Sequence, residues 1–99
     1  MTQEEHIKYW FSMADYDLKV AKDLLSNQHY LSVCFLSHQS VEKALKGYWC
    51  KTKDLTPLKI HTLSKLAQLS GLWDKMDEEQ KEFLSKLEPL NISCRYPDY

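Results

Sequence analysis

The stretch YLSVCFLSHQSVEKALKGYWCK, residues 30–51, has the pattern of one long amphipathic helix. Its apolar and small residues recur at alternating steps of three and four, which is the spacing of one helix face. This predicted seam comprises Cys34, Ser37, Val41, Ala44 and Tyr48, with Leu45 and Trp49 extending it. The small side chains in the seam allow a neighbouring helix to approach closely. The polar residues of the other side are His38, Gln39, Glu42, Lys43 and Lys46.

A second amphipathic segment precedes this helix. Thr2 and Glu5 have the spacing of a capping box, so we expect the first helix to begin at Thr2. Its expected core face consists of apolar residues at steps of four and three, namely Ile7, Phe11, Ala14, Leu18, Ala21 and Leu25. The short connection at residues 26–28 predicts that the two helices form an antiparallel hairpin.

Asp17 interrupts the apolar edge of the first helix, between Met13 and Val20. A carboxylate in such a position must be paired or must lie near water. Asp17 is therefore either a surface residue at the helix edge or the partner of a cation from another helix. In both cases we expect a structural polar role.

Helix boundaries in the second half of the chain follow from punctuating residues. Pro57 marks a loop at residues 52–61, and His61 or Thr62 opens a short third helix. Gly71 suits the position just after the end of that helix.

Asp77 and Gln80 repeat the capping-box spacing at the start of a fourth helix, which Pro89 ends or kinks. The sequence thus predicts an all-α fold, an antiparallel up-and-down bundle of four main helices. The 99 residues form one domain, residues 1–99.

The composition excludes several classes of protein. Two glycines and three prolines argue against a turn-rich β-sandwich or barrel. No apolar run approaches the ~18 residues of a membrane helix, and the acidic, polar N-terminus does not resemble a signal peptide. Three cysteines without a close pairing motif suit a reducing cytosol. We expect a cytoplasmic protein without membrane association.

Most generic chemical signatures are missing from the sequence. Its two glycines, Gly47 and Gly71, lie in helical context and cannot form a phosphate-binding loop. There is no Cys-x-x-Cys or His-Glu-x-x-His sequence, and Cys34 with His38 supplies half a metal site at most. We therefore expect no metal.

The charge of the chain is unevenly distributed although the formal net charge is −1. Residues 43–73 carry six lysines against Asp54 alone, which gives a local net charge of +5. Such a strip either attracts a phosphate-bearing ligand or simply solvates a helix end and a loop.

The C-terminal sequence Arg95-Tyr96-Pro97-Asp98-Tyr99 combines a guanidinium with a turn set by proline. A guanidinium held in this way suits a phosphate, through its bidentate donors. The alternative is a structural salt bridge from Arg95 to Asp98 or Asp17.

Three stretches together resemble the HEPN domain, a helical family named for its occurrence in higher eukaryotes and prokaryotes and for nucleotide binding. The segment Gln39-Ser40-Val41-Glu42-Lys43-Ala44-Leu45-Lys46 is similar to the family's Gln-x-x-Glu-Lys-x-x-Lys signature. Ile60-His61-Thr62-Leu63 resembles its Thr-His-Asp-Leu helix start, and Arg95-Tyr96-Pro97-Asp98 resembles its Arg-Tyr-Pro motif. The resemblance implies a helical bundle that forms a homodimer, with polar motif residues along a cleft. The family usually continues into another helix beyond this point, so the resemblance implies either a longer chain than these 99 residues or a shortened member.

The resemblance implies a binding function first. Many small prokaryotic members are the helical partner of a minimal nucleotidyltransferase in a toxin–antitoxin-like module. The implied nucleotide- or RNA-binding residues are Gln39, Glu42, Lys43, Lys46, Arg95 and Tyr96. Tyr96 and Tyr99 are also candidate targets of the transferase. No cofactor is expected other than a nucleotide ligand.

Two alternatives remain open. Many HEPN proteins are metal-independent ribonucleases in which a His follows the Arg by one short turn, but no His follows Arg95. The candidate catalytic residues are then Arg95, Asp98, Tyr99 and His61, with His38 as a further possible base. In the other alternative, Glu42, Lys46 and Arg95 only fix the bundle and its dimer.

Overall fold

The computed structural model describes residues 2–53, 56–57 and 59–93. The helices are α1 (Gln3–Ser26), α2 (Tyr30–Thr52), α3 (Leu63–Ser70), α4 (Glu78–Leu87) and the short α5 (Leu90–Ser93), with a 3₁₀ turn at Trp73–Lys75. Over these residues there is no strand, which confirms the predicted all-α fold. None of the helices in this part of the chain is both long and apolar enough to cross a membrane.

The predicted helix boundaries are confirmed by their capping contacts. At α1 the hydroxyl of Thr2 accepts a hydrogen bond from the backbone N–H of Glu5, at 3.2 Å, and the Glu5 carboxylate accepts one from the N–H of Thr2, at 3.1 Å. Asp77 and Gln80 form the same reciprocal box at α4. Gly71 follows α3 with φ +86, a left-handed conformation that glycine adopts without strain.

The helices α1 and α2 form the long antiparallel hairpin, and their contact relies on small groups. The hydroxyl of Ser40 donates a hydrogen bond of 2.7 Å to the backbone oxygen of Ala14. A Cβ atom on Gly47 would lie 3.1 Å from the ring of Phe11. Glycine at this position therefore lets the aromatic ring lie directly against the α2 backbone.

The apolar core lies at the other side of α2, where α3 and α4 pack against it. Its buried members are Leu45, Leu63, Leu66, Ala67, Leu84 and Leu87. Partly buried side chains from the 3₁₀ turn and α5, among them Trp73 and Leu90, close its edges. The core thus fixes the start of α3, and with it His61, relative to α2.

The predicted core face of α1 is partly wrong. Ala14 and Ala21 are buried, but Phe11, Leu18 and Leu25 are exposed. The main neighbour of α1 is α2 alone, so only a narrow line of contact is buried. That line passes through Ala14, Asp17 and Ala21 and leaves the flanking apolar residues uncovered.

The predicted seam of α2 is also placed differently. Its five members, residues 34, 37, 41, 44 and 48, are half-buried. The fully buried positions include His38, Glu42 and Lys46, which the sequence pattern assigns to the polar side. The reason is that α2 is covered on two sides, by α1 and by α3 to α5, so a polar side of the helix is enclosed.

Candidate functional site

Glu42 is the centre of a group of ionisable side chains that we call the Glu42 cluster, consisting of Glu42, Lys46, His38 and His61. Three of its members, His38, Glu42 and Lys46, lie at positions i, i+4 and i+8 along one side of α2. His61 comes from the segment just before α3. The Glu42 side chain is 6% exposed, so its charge must be balanced by its neighbours.

Two contacts converge on one oxygen of Glu42. The ammonium of Lys46 lies 3.1 Å from Oε2, and Nδ1 of His61 lies 3.0 Å from the same atom. Nδ1 of His38 is 3.8 Å from the other oxygen, Oε1. The carboxylate is thus shared between side chains of α2 and the segment that leads into α3.

Lys46 also connects the cluster to α1. Its ammonium lies 5.7 Å from the centroid of the Trp10 ring, within the range of a cation–π interaction. Between the Glu42 carboxylate and the Trp10 ring, the charge of Lys46 is compensated inside the protein. Lys46 therefore stabilises the site and does not present a free positive charge to a ligand.

The tautomer of His61 follows from its contact with Glu42. Because Lys46 can only donate, Oε2 of Glu42 is an acceptor, and Nδ1 of His61 carries the proton that it shares with this oxygen. In a neutral ring the proton is then absent from Nε2, at the far edge of the imidazole. The His61 side chain is 68% exposed, so this nitrogen can accept a hydrogen bond or a proton from a bound molecule.

A surface pocket of about 370 Å³ lies beside the cluster. Its lining residues come from α2, the start of α3 and the corner between α4 and α5, namely His38, His61, Thr62, Glu88, Pro89 and Asn91. Oε1 of Glu88 accepts hydrogen bonds from the backbone N–H and the hydroxyl of Ser64, at 3.0 and 2.9 Å. Glu88 thereby ties the first turn of α3 to the end of α4.

A larger cavity lies elsewhere in the described part of the chain. It measures about 690 Å³ and lies between α2 and α4. Its lining combines apolar residues, among them Val41, Leu45 and Phe83, with charged and polar residues, among them Asp77 and Gln80. It contains none of the predicted site residues. Among the described residues, the predicted site residue His61 thus lies at the smaller pocket.

Asp17 and Lys43 form a separate ion pair between α1 and α2, 2.7 Å apart. Asp17 is 8% exposed and Lys43 is 21% exposed. Of the two interpretations of Asp17, the structure confirms the one in which it meets a cation from another helix. Lys43, a predicted ligand-binding residue, is engaged in this pair and lies outside the Glu42 cluster.

The predicted lysine strip is reduced by these pairs. Lys43 and Lys46 are bound to carboxylates, whereas Lys51, Lys53, Lys59 and Lys65 are exposed. The positive charge that remains accessible thus lies at the end of α2, in the following loop and on α3.

The structure brings Glu42, Lys46 and His61 together. His38, which is fully buried, is the fourth member of the cluster. Gln39 is half-buried on α2. Arg95, Tyr96, Asp98 and Tyr99 lie outside the described residues, so their roles stay predictions. No group of three or more His, Cys, Asp or Glu residues within the described ranges is arranged to hold a metal ion.

Sequence reasoning missed Glu88, Asn91 and Thr62 as pocket residues. Glu88 has a sequence signal, because it directly precedes the proline that ends α4. Its contact with the start of α3 joins residues 24 positions apart, and no local pattern predicts such a contact.

The sequence matches the HEPN domain family over residues 7–99. No curated protein and no solved structure matches the chain. The matched range includes the whole Glu42 cluster and the Arg95-Tyr96-Pro97 sequence. With a helical bundle, a match over nearly its full length and both polar motifs within it, the chain belongs to the HEPN domain family.

Proposed function

We propose that this HEPN domain binds a nucleotide or RNA and acts as the helical partner of a minimal nucleotidyltransferase in a toxin–antitoxin-like pair. HEPN domains are typically related to nucleotides and RNA. The observation that carries the proposal is the Glu42 cluster beside an open pocket. Exposed lysines at the end of α2 and in the following loop, with Arg95, supply the charge that attracts phosphates.

Binding is tested by titrating the protein with ATP and with a short single-stranded RNA. His61→Ala is the informative variant, because this exposed side chain lines the pocket and can be removed at little cost to folding. His29→Ala is the matched control, since His29 is exposed and makes no capping hydrogen bond at the start of α2. We expect His61→Ala to weaken binding and His29→Ala to leave it unchanged.

The transferase partnership is tested by co-expression with a minimal nucleotidyltransferase from the same genome. A mass increase of one or more AMP units, lost when Tyr96 and Tyr99 are replaced by Phe, supports modification of these tyrosines. An unchanged intact mass together with separate elution of the two proteins contradicts the partnership.

A homodimer is the proposed assembly. Phe11, Leu18 and Leu25 are exposed apolar residues seven positions apart, so they form one stripe along α1. Phe11 also touches Gly47, which places the stripe next to α2. Analytical ultracentrifugation should give a dimer for the wild type and a monomer for Leu18→Glu. Tyr16→Glu, on the opposite side of α1, should remain dimeric.

A metal-independent ribonuclease is the second candidate, favoured by the contact between His61 and Glu42. In this reaction the 2′-hydroxyl of RNA gives its proton to Nε2 of His61, and its oxygen forms a bond to the adjacent phosphorus. The bond from phosphorus to the 5′-oxygen breaks, and that oxygen takes up the proton from the imidazolium. Arg95 would stabilise the charge of the intermediate.

Cleavage of labelled single-stranded RNA in EDTA tests the ribonuclease candidate. Loss of a general base costs roughly 10²–10⁴-fold in rate, which is the expected effect of His61→Ala. Arg95→Ala should be similarly inactive. Wild-type protein that leaves the RNA intact refutes this candidate, and an Arg95→Ala variant with a lower Tm but unchanged ligand binding favours a purely structural dimer.

A further inference from the structure

The pocket beside the Glu42 cluster has a charge balance that is unsuited to phosphate. One carboxylate, that of Glu88, lines the pocket, whereas the neighbouring Glu42 and Lys46 already compensate each other's charge. Within the described part of the chain, no lysine or arginine lines the pocket. A phosphate group would therefore meet negative charge at the pocket wall and is better placed outside it.

The same pocket is rich in hydrogen-bond acceptors. In the neutral ring with its proton on Nδ1, toward Glu42, Nε2 of His61 is an acceptor. Only Oε1 of Glu88 is used in the bonds to Ser64, so the second carboxylate oxygen has remaining acceptor capacity. Such a set of acceptors selects a ligand group that carries donors.

We propose that this pocket binds the sugar hydroxyls of a ribonucleotide, with Nε2 of His61 accepting a hydrogen bond from a ribose hydroxyl. The site thereby distinguishes ribose from deoxyribose, since the hydroxyl is what separates RNA from DNA chemically. The proposal rests on the proposed nucleotide- or RNA-binding function. It assigns the sugar to the pocket and leaves the phosphate to the exposed cations around it.

Glu42 is the positioning residue of this subsite. Its buried carboxylate fixes both the tautomer and the orientation of the His61 ring through the contact at 3.0 Å. A ring without this contact could present either nitrogen to the ligand. The pocket volume of about 370 Å³ is at the lower end of the ~300–1,000 Å³ found for small-molecule sites, and it leaves room for a pentose.

Calorimetric titration with AMP, 2′-deoxy-AMP and 3′-deoxy-AMP tests the proposal. We expect at least one deoxynucleotide to bind about 3- to 10-fold more weakly than AMP, which is the effect of one lost hydrogen bond. His61→Ala should bind all three ligands with equal affinity, at the level of the weaker deoxynucleotide. His29→Ala, the matched control, should keep the preference for AMP.

The outcomes separate this proposal from the function on which it rests. Equal binding of all three nucleotides by the wild type overturns the ribose subsite and leaves nucleotide binding intact. Binding of none of them, and of no RNA, overturns both. A preference for AMP that persists in His61→Ala overturns the assignment to His61.

Nitrogen-15 NMR of the histidine rings gives a second test, independent of affinity. The His61 signals of the free protein should correspond to the tautomer with the proton on Nδ1. AMP should shift the Nε2 signal, and the weaker-binding deoxynucleotide at matched saturation should not. A proton on Nε2 in the neutral ring overturns the proposal, whatever the affinities.

In Glu42→Gln the preference for AMP should decrease, which a purely structural role of Glu42 would not cause in protein that remains folded.

Discussion

Two ionic contacts of α2 resemble each other in distance and differ in what surrounds them. Asp17 and Lys43 form a closed pair at 2.7 Å, in which each charge has its partner between α1 and α2. The Glu42 carboxylate, in contrast, contacts Lys46 and His61 at the same oxygen, and the His61 ring extends into a pocket. A closed pair joins two helices, whereas a shared carboxylate with an exposed imidazole also offers a group to a ligand.

Among the variants of these two ionic contacts, we expect Glu42→Ala to lower the stability most. This change leaves the ammonium of Lys46 in a nearly buried position without its carboxylate. Breaking a buried pair by removing one partner costs about 3–5 kcal/mol, so we expect a loss of this order in the free energy of unfolding, measured in urea. In the double variant Glu42→Leu with Lys46→Met, much of the stability should return. A loss below ~1 kcal/mol for Glu42→Ala would contradict the compensation of charges described above.

The Asp17–Lys43 pair predicts an asymmetry between its two single variants. In Lys43→Ala the Asp17 carboxylate, 8% exposed, stays buried without a partner, and we expect a cost of about 2–3 kcal/mol. In Asp17→Ala the long side chain of Lys43, already 21% exposed, can turn its ammonium to water, so the expected cost is ~1 kcal/mol. Urea unfolding of both variants measures the difference. Equal costs would mean that the two partners are equally hydrated in the native state. Neither variant should change nucleotide binding, in contrast to His61→Ala.

These contacts also show which features of the fold and of the site could be predicted from the sequence and which could not. The spacing of Thr2 with Glu5, and of Asp77 with Gln80, predicts two helix starts because capping depends on residues three positions apart. The burial of His38, Glu42 and Lys46 depends on which elements cover α2, and the helical period contains no such information. The His61 motif could be found from the sequence, but its hydrogen bond to Glu42 spans 19 positions and is a property of the fold.

Glu88→Ala tests what holds the pocket beside the Glu42 cluster in place. The variant removes the acceptor for the N–H and the hydroxyl of Ser64 in the first turn of α3. Loss of a helix N-terminal acceptor costs about 1 kcal/mol, and we expect this decrease in thermal or urea unfolding experiments. Because only Thr62 separates His61 from α3, the contact of His61 with Glu42 should also weaken, seen as a changed ¹⁵N spectrum of the ring. Lys86→Ala is the control, since its pair with Glu82 lies on the exposed side of α4. An unchanged His61 spectrum would mean that Glu42 alone positions the ring.

We expect the smallest effect on stability at Glu5. Its exposed carboxylate belongs neither to the Asp17–Lys43 pair nor to the Glu42 cluster and serves as a reference for both. Its hydrogen bond from the Thr2 backbone, followed by its contact with the Thr2 side chain, lowers the pKa of Glu5 below its usual value. A lowered pKa in the folded state means that the ionised form adds stability above the pKa of the unfolded chain. This contribution decreases as the pH falls through the interval between the two pKa values and is absent below both.

Glu5→Gln keeps a hydrogen-bonding side chain in the capping box without the charge. The wild type should therefore be slightly more stable than Glu5→Gln at neutral pH, and this difference should shrink on acidification to below the pKa of the folded state. A difference in the free energy of unfolding that stays constant with pH would show that the charge of Glu5 does not contribute to the cap.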